Sequence, residues 1–568
     1  MDQLASFLGY YGSATMGPGS GLSSCAASSI PYPTSLPTAK FLSVEAHMVT
    51  NYTVTVPPGF ENSSTAPYSP VPVLNFCNVT LTYTHPGLGD KIKTQVWLPW
   101  AIWMLTAAAI VIPATRKSPT AAPSPLLERP PPRRRRRRSV HRLHPANSGP
   151  RPRRGYAVVT TDGGHLSNDP GDATWVLAST GNVDWVAVQN FAAIAVHDAA
   201  VIGRAVTEAF YGERVKYAYF TGCSTGGRQA AVLAQRWPGD YDGYLAGAAA
   251  MRSQDITAAL GPQAKMVELG YAPPACEMRE LRRLAIEKCD GLDGAMDGLV
   301  SEPERCFGAF DPRAHVGDEF VCEETGEAVE IAQLAWEGLR VGDGVVWGGV
   351  GHQADLAESW VSWAATSCDY NTGTTPPACK PKPWPFATAW VQYFLLQDPA
   401  TPADPTAFFK SGLRDIERLV YQGRQWYTSI ISAFDTDLSA LRDGGGKLLM
   451  WHGMADEAIP LNNSRAYYDA VAARDPGHID DYLRYFEAPG VSHCGTGGDG
   501  NGLFPARLLD ALRAWVEEGK APESVPAVSK AADPETGITT TRNLCRYPRK
   551  TKYDGVGDVA SAASFRCV

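Results

Sequence analysis

The most restrictive feature of this 568-residue chain is the pentapeptide GCSTG at 222–226. It follows the β-run KYAYFTG and precedes GRQAAVLAQRW, whose apolar residues recur with helical spacing. A strand, this turn and a helix together form a G-x-S-x-G nucleophile elbow. Such an elbow exposes the Ser224 hydroxyl at a helix N-terminus, and the Thr225 N–H would donate to an oxyanion. The alternative is a Gly/Ser-rich turn that only caps a helix.

Strand-like and helix-like segments alternate from Gly155 onward. YAVVTTD predicts a strand, VAVQNFAAIAVHDAAVIGRAVTEAFYG predicts a long helix, and KLLMWHG predicts a late buried strand. This alternation predicts a mainly parallel sheet with helices on both faces. Upstream, apolar and polar residues alternate over 40–60 and 70–97, which predicts short antiparallel strands.

Residues 251–440 interrupt that pattern. They are rich in Trp and Pro and hold six cysteines, and they predict an inserted lid domain. We therefore divide the chain as follows: a β-rich N-terminal part of the catalytic domain (1–98), an anomalous segment (99–154), the first catalytic part (155–250), the lid (251–440) and the second catalytic part (441–568).

The anomalous segment differs in composition from both of its flanks. An apolar run precedes a Pro-rich stretch and RRRRRR at 133–138. Residues 96–114 could form a short transmembrane helix, but Pro99 and Pro113 would interrupt it. The hypothesis that we favour is that this stretch is not native coding sequence, for example an untrimmed intron or a local frameshift.

A serine nucleophile needs a histidine that takes its proton and an acid that holds that histidine. With an elbow of this type, the expected order along the chain is Ser, acid, His. Asp456 follows the late strand and His493 lies in PGVSHCGTGG, so both are expected in loops after late strands. Glu457, Asp435 and Asp437 are competing acids. We expect His197 and His452 to be hydrogen-bonded core residues.

Twelve cysteines, an even number, suit a disulfide framework in an oxidising compartment. Four N-x-S/T sequons, which could carry glycan, also favour secretion, although no secretory signal peptide is visible: Asn51, Asn62, Asn78 and Asn462. Cys223 precedes Ser224, and Cys494 follows His493. If those neighbours meet in a triad, the two cysteines are close enough for a disulfide. The alternative is two free thiols.

The net charge of the chain and one acidic loop indicate which kinds of ligand it could bind. The formal net charge of −8 argues against nucleic acid as the main partner. CDGLDGAMDGLV at 289–300 places Asp290, Asp293 and Asp297 among glycines, which suits calcium, although the spacing is not that of an EF-hand. The alternative is a solvated acidic turn.

Four features together resemble the tannase/feruloyl esterase family: Cys223-Ser224, Asp456, His493-Cys494 and the CDGLDGAMDGL loop. The resemblance covers roughly residues 25–98 and 155–568. Further stretches that match the family are TDGGH at 161–165, EAFYG at 208–212, QRWPGDYDG at 235–243 and CRYPRK at 545–550.

The resemblance implies an α/β-hydrolase fold with a large inserted lid and a Ser224/Asp456/His493 triad whose ends are joined by Cys223–Cys494. It also implies a structural calcium in the lid, held by Asp290, Asp293, Asp297 and the backbone carbonyls of Ala295 and Leu299. The expected further disulfides are Cys276–Cys289, Cys306–Cys322, Cys545–Cys567, Cys25–Cys77 and Cys368–Cys379. Family members carry a glycine-rich stretch near the oxyanion hole where this chain has residues 102–154, so the second oxyanion donor has no candidate here.

The implied function is serine carboxylic ester hydrolysis on small phenolic esters, with feruloylated plant cell-wall polysaccharide as the first choice of substrate and galloyl esters as the second. A catalytically impaired hydrolase-like binding protein is the alternative from another class. Membrane and nucleic acid are not expected partners. Five lid tryptophans could stack on a phenolic acyl group or simply pack a core: Trp336, Trp347, Trp360, Trp363 and Trp384.

Overall fold

A computed structural model describes most of the chain. The described residues are 10–11, 24–52, 74–99, 109–110, 125–128, 156–165, 171–318, 325–341, 344–371, 377–495, 501–532 and 539–568.

The described residues form one nine-stranded sheet, and its spatial order is β9-β8-β7-β6-β4-β5-β3-β2-β1. Strands β6 to β9 are parallel to one another, whereas β1 to β5 pair antiparallel. The strands are β1 Lys40–Tyr52, β2 Leu74–Thr84, β3 Ile92–Pro99, β4 Pro125–Glu128, β5 Tyr156–Thr161, β6 Tyr217–Cys223, β7 Gly243–Gly247, β8 Lys447–Gly453 and β9 Leu483–Ala488.

The sheet is therefore mixed, and the expectation of a mainly parallel sheet holds only for its β6–β9 half. The physical reason is connection length. Neighbouring strands in the N-terminal half can pair through hairpin turns, whereas parallel strands need a crossover of a dozen or more residues. The turn after β2, at 85–91, is too short for a crossover, so β3 returns antiparallel to β2.

The anomalous segment contributes β4, which lies between β5 and β6 and is antiparallel to both. Of the transmembrane candidate 96–114, residues 96–99 end β3 and Ala109–Ile110 pairs with Tyr10–Tyr11. The rest of that candidate lies outside the described residues. The hypothesis about the coding sequence stays a prediction.

Helices cover both faces of the sheet, as the alternation predicts. Helices α1 Ala195–Tyr211 and α2 Thr225–Arg236 pack on one face, and the helix Leu508–Glu518 packs on the other. Within the described residues, one continuous helical stretch, Trp185–Tyr211, is long and apolar enough to cross a membrane. Most of that stretch is buried inside the protein, as a core helix would be.

Residues 251–440 contribute no strand to the nine-stranded sheet in the described part of the chain. Their longer helices are Gly261–Leu269, Ala275–Cys289, Pro303–Ala309, Gly326–Glu337 and Leu413–Ile431. They bury a separate aromatic core in which Trp336, Trp347, Trp363 and Trp384 are each at most 5% exposed. Core packing therefore accounts for four of the five tryptophans, and the half-buried Trp360 is the exception. The lid assignment stays a prediction.

Smaller elements complete the structure. The helix Asn462–Arg474 follows the loop after β8. Four two-stranded ribbons pair Leu177–Ser179 with Asn182–Val183, Gly338–Val341 with Gly344–Gly348, Thr366–Asp369 with Ala378–Pro381, and Thr551–Tyr553 with Phe565–Cys567. A three-stranded sheet has Ser524–Ala532 in the middle, between Leu503–Pro505 and Thr539–Cys545.

The disulfides confirm four expected pairs and correct two. Cys223–Cys494, Cys25–Cys77, Cys368–Cys379 and Cys545–Cys567 are formed. Cys276–Cys289 and Cys306–Cys322 are wrong, because Cys289 bonds to Cys306.

Helix geometry gives the reason for the correction. Cys276 and Cys289 lie near opposite ends of the helix Ala275–Cys289, about 20 Å apart at 1.5 Å per residue, and a disulfide requires Cα atoms within about 7 Å. Cys306 lies in the next helix, which packs against this one. Cys276 is itself disulfide-bonded, and Cys322 lies outside the described residues.

Candidate active site

Ser224 occupies the sharp turn that joins β6 to α2. Its backbone has φ 63° and ψ −122°, a conformation that non-glycine residues rarely adopt. The turn is held by the Ser224 N–H, which donates to the Gly247 carbonyl at 3.0 Å, and by the Arg228 N–H, which donates to the Ser224 carbonyl. The side chain is half-buried, so a substrate can reach it. Backbone strain at this one position is typical of a nucleophile elbow.

Close backbone contacts require glycine at the first position of the motif, Gly222, and at Gly227, which directly follows the motif. A Cβ atom added at Gly222 would lie 2.5 Å from the backbone of Gly226, and one at Gly227 would lie 2.3 Å from the Gly247 carbonyl oxygen. Neither contact is possible for a real Cβ. This turn therefore needs glycine at Gly222 and Gly227, and together with the positive φ of Ser224 these contacts favour an elbow over a turn that only caps a helix.

Thr225 is the first residue of α2. The N–H groups of a first helical turn have no intrahelical acceptor, and they point out of the helix end. The Thr225 N–H is therefore placed beside the Ser224 hydroxyl, where an oxyanion would form. Most of the segment 102–154, where the family carries its glycine-rich stretch, lies outside the described residues, so the second donor stays without a candidate.

Asp456 and His493 come together although 37 residues separate them. The His493 Nδ1 lies 2.8 Å from one Asp456 carboxylate oxygen and 3.0 Å from the other, and both side chains are 1% exposed. An ionised carboxylate only accepts hydrogen bonds, so Nδ1 carries the proton and Nε2 can act as a base. This is the acid–base pair that the sequence predicts.

The Asp456 carboxylate is held by the loop after β8. Its Oδ1 accepts from the N–H groups of Ala458 and Ile459, at 2.9 and 2.8 Å. Burial acts to raise the pKa of Asp456, but His493 and His452 outweigh it, and the pKa lies well below its usual range. For His493, burial lowers the pKa and Asp456 raises it, and the net shift is upward. Asp456 therefore stays ionised and stabilises a protonated His493.

The Cys223–Cys494 disulfide joins the two halves of the site. Its Cα atoms are 6.0 Å apart, and each cysteine is the direct neighbour of Ser224 or His493. The elbow loop and the histidine loop are thus covalently linked across 271 residues of sequence. The alternative of two free thiols is wrong.

The competing acids lie in other environments. Asp435 and Asp437 are exposed, and Asp437 pairs with Arg474 and caps Ser439. Glu457 is buried, but its carboxylate accepts from the His493 backbone N–H at 3.0 Å rather than from the imidazole. Among these acids, Asp456 is the one that holds the ring.

The two other histidines differ from each other. His197 bonds to Asp240 at 2.8 Å and stacks on Trp237, which is the expected structural role. His452 is a buried, hydrogen-bonded residue of β8, as expected, but its Nε2 also lies 3.2 Å from Asp456 Oδ2, the oxygen that His493 contacts as well. The sequence reasoning missed this contact, although the spacing of His452 and Asp456 in HGMAD was a signal for it.

The aspartates of the predicted calcium loop lie within one tight turn. Asp290 Oδ1 accepts from the N–H groups of Asp297, Gly298 and Leu299, while Asp293 accepts from Ala295. Burial raises the pKa of Asp293, and it raises that of Asp297 to about 6, with repulsion among the three carboxylates adding to both effects.

The donor types in this loop suit calcium, since all are hard oxygens. Arg542 forms an ion pair with Asp297 and offsets part of the negative charge of the loop. Over the described residues, no three acidic, His or Cys side chains converge on one point as metal ligands. Calcium binding by this loop stays a prediction.

Comparison with known proteins agrees with this geometry. A family model described as "Tannase and feruloyl esterase" matches residues 139–568. A probable feruloyl esterase of Arthroderma benhamiae is 35% identical over 522 residues, covering 88% of each chain. Feruloyl esterase B of Aspergillus niger is 30% identical over 434 residues, covering 73% of this chain and 76% of that protein.

The fold is shared with solved structures. The tannin acyl hydrolase of Aspergillus niger superposes with a TM-score of 0.73 at 24% identity, covering 96% of this chain and 95% of that one. The expected α/β-hydrolase fold is therefore confirmed. With the elbow, the buried Asp–His pair and a family match over most of its length, this chain belongs to the tannase and feruloyl esterase family of carboxylic ester hydrolases.

Proposed function

We propose that this protein hydrolyses esters of phenolic acids, with feruloyl esters of plant cell-wall polysaccharide as its substrates. The observation that carries the proposal is the strained Ser224 elbow tied by Cys223–Cys494 to a buried Asp456–His493 pair. The relatives at 30% identity or more that are named feruloyl esterase support the choice of acyl group.

The mechanism follows from the roles of the three side chains. Ser224 Oγ attacks the ester carbonyl carbon while His493 Nε2 takes its proton, and Asp456 stabilises the imidazolium that forms. The N–H of Thr225 stabilises the negative charge on the carbonyl oxygen. The C–O bond then breaks, and His493 protonates the leaving alcohol. Water, deprotonated by His493, attacks the acyl-enzyme and releases the phenolic acid and the Ser224 hydroxyl.

The test is release of ferulate from methyl ferulate and from feruloylated arabinoxylan oligosaccharides, with Ser224→Ala as the control. We expect turnover that the variant loses while its thermal unfolding is unchanged. Equal rates for the two proteins would refute the role of Ser224. No hydrolysis by the wild type would favour the alternative of a hydrolase-like binding protein.

Galloyl esters are the second candidate substrate. The observation that favours them is the family match, whose description includes tannase. Methyl gallate assayed beside methyl ferulate separates the two, because the acyl groups differ in their hydroxyls and in the length of the acid. A higher kcat/KM for the gallate ester would make tannase activity the main function.

We also propose that calcium binds the loop at 290–299 and stabilises it without taking part in the reaction. Asp290, Asp293 and Asp297 with the carbonyls of Ala295 and Leu299 would hold the ion. Three partly buried carboxylates with one arginine leave negative charge that a divalent cation would neutralise. Added calcium should raise the melting temperature and chelator should lower it, whereas Asp290→Asn should show neither effect. A melting temperature indifferent to both would refute the site.

We further propose that the protein is secreted. The support is its disulfides, since such bonds persist in oxidising compartments and are rare in the cytosol. Asn51 and Asn462, exposed sequon asparagines, could then carry glycan. Activity in the culture medium with glycan removable by an endoglycosidase would agree with this. Activity confined to the cell interior would contradict it.

A further inference from the structure

Glu457 directly follows the triad acid and is only 2% exposed. Its two carboxylate oxygens accept from different parts of the protein. Oε2 accepts from the His493 backbone N–H at 3.0 Å, and Oε1 accepts from the Ser359 hydroxyl at 3.1 Å. A buried carboxylate is costly unless it is fully hydrogen-bonded. The mechanism of the triad assigns no step to this carboxylate.

The lid side of this contact is well ordered by its own hydrogen bonds. Asp355 accepts from the N–H groups of Ala357, Glu358 and Ser359, which fixes the turn that presents the Ser359 hydroxyl. A second contact lies close by, where the Trp363 indole N–H donates to the Ala458 carbonyl at 3.2 Å. Segment 355–363 of the predicted lid therefore contacts the acid loop at two consecutive residues, Glu457 and Ala458.

We propose that Glu457 is a positioning residue through which the lid segment 355–363 holds the general base, by joining the Ser359 hydroxyl to the His493 backbone. This inference rests on the proposed function, because it concerns the regulation of that same site. Movement of segment 355–363, or loss of the charge on Glu457, then alters the position or the protonation of His493 through this bridge.

The charged groups that face Glu457 are Asp456 and His493, with His452 beyond Asp456. Burial and the charge of Asp456 raise the pKa of Glu457, the backbone hydrogen bond and the charge of His493 oppose them, and the net pKa is about 7. A negative charge at this distance favours the imidazolium form of His493. The protonation of the base and that of Glu457 are therefore coupled near neutral pH.

Glu457→Gln separates charge from hydrogen bonding. The amide oxygen can still accept from the His493 N–H, and the amide N–H can donate to the Ser359 oxygen. We expect an unchanged KM, but an acid limb of the kcat/KM profile shifted to lower pH, on the order of one unit. Glu457→Leu, which loses both bonds, should lower kcat by about 100-fold through misplacement of the base.

Two further variants keep the test independent of folding defects and of net charge. Glu358→Gln removes one negative charge from the exposed residue beside Ser359 and should leave the profile unchanged. Ser359→Ala deletes one donor to the carboxylate, which favours protonated Glu457 and should shift the limb in the same direction as Glu457→Gln, by less.

A second readout does not depend on ester hydrolysis. Inactivation by phenylmethanesulfonyl fluoride needs Ser224 activated by His493, and its rate against pH gives the same limb. If the acid limb of the inactivation rate shifts in the variants, the coupling between Glu457 and His493 is supported even when neither ferulate nor gallate esters are hydrolysed. In that case the proposed function alone fails. Limbs that coincide for the wild type, Glu457→Gln and Ser359→Ala would overturn the proposal.

Discussion

Replacing both Cys223 and Cys494 by serine removes the covalent link between the nucleophile loop and the histidine loop. The bond closes a loop across 271 residues of sequence. The chain-entropy relation gives a loss of about 5.5 kcal/mol in the free energy of unfolding for a loop of this length, as an upper value. We also expect kcat to fall by about 100-fold in the protein that remains folded, because a small displacement of His493 from Ser224 misaligns the proton transfer.

The matched control is the double serine variant of Cys368 and Cys379, whose disulfide spans 11 residues within the predicted lid. The same relation gives about 3 kcal/mol for this shorter loop, and no change in kcat is expected. Urea unfolding of the two variants measures how much each loses in free energy of unfolding. The kcat values are measured in buffer without urea, at a temperature at which both variants are folded.

Two results would refute this reasoning. Equal losses of stability in the two variants would show that loop length does not determine the effect. Full activity of the folded Cys223/Cys494 variant would show that packing alone aligns Ser224 with His493, and that the disulfide has no part in positioning them.

Three other predictions concern the triad itself. Ser224→Gly should abolish hydrolysis yet raise the free energy of unfolding by about 1 kcal/mol, because glycine adopts a positive φ without strain; urea unfolding would contradict this if the variant were less stable. Asp456→Asn should lower kcat by about 10,000-fold with little change in melting temperature, because its amide would face His493 Nδ1 and favour the wrong tautomer; near-wild-type turnover would exclude Asp456 as the triad acid. Since only neutral His493 accepts the Ser224 proton and Asp456 raises its pKa, kcat/KM should fall as pH falls through that pKa; a rate that rises toward acid pH would contradict this assignment.

Much of the site could be predicted because its chemistry is local in sequence. The elbow needs glycines at fixed offsets from Ser224, and the close contacts at Gly222 and Gly227 show why no other residue fits. The cysteines beside Ser224 and His493 likewise predicted their own pairing, because a triad fixes the distance between its neighbours.

Other features depend on contacts that no local pattern encodes. The helix Ala275–Cys289 separates two cysteines that are close in sequence, so Cys289 pairs with Cys306 instead. Asp456 and Glu457 are adjacent acids of equal chemical plausibility, and only the packing of the histidine loop decides which one meets the imidazole and which one meets the backbone.

The sequence by itself determined the alternation of strands and helices, the nucleophile, the order of the triad and its covalent link, because periodicity and turn stereochemistry act over a few residues, while the α/β-hydrolase fold was implied by the family resemblance. The tertiary structure decided the mixed pairing of the sheet, the burial of the lid tryptophans, the contact of His452 with Asp456 and the bridge from Ser359 through Glu457 to His493. Apart from the contact between His452 and Asp456, which are four residues apart, these features depend on how segments distant in the sequence pack, and packing is set by the whole chain rather than by any one motif.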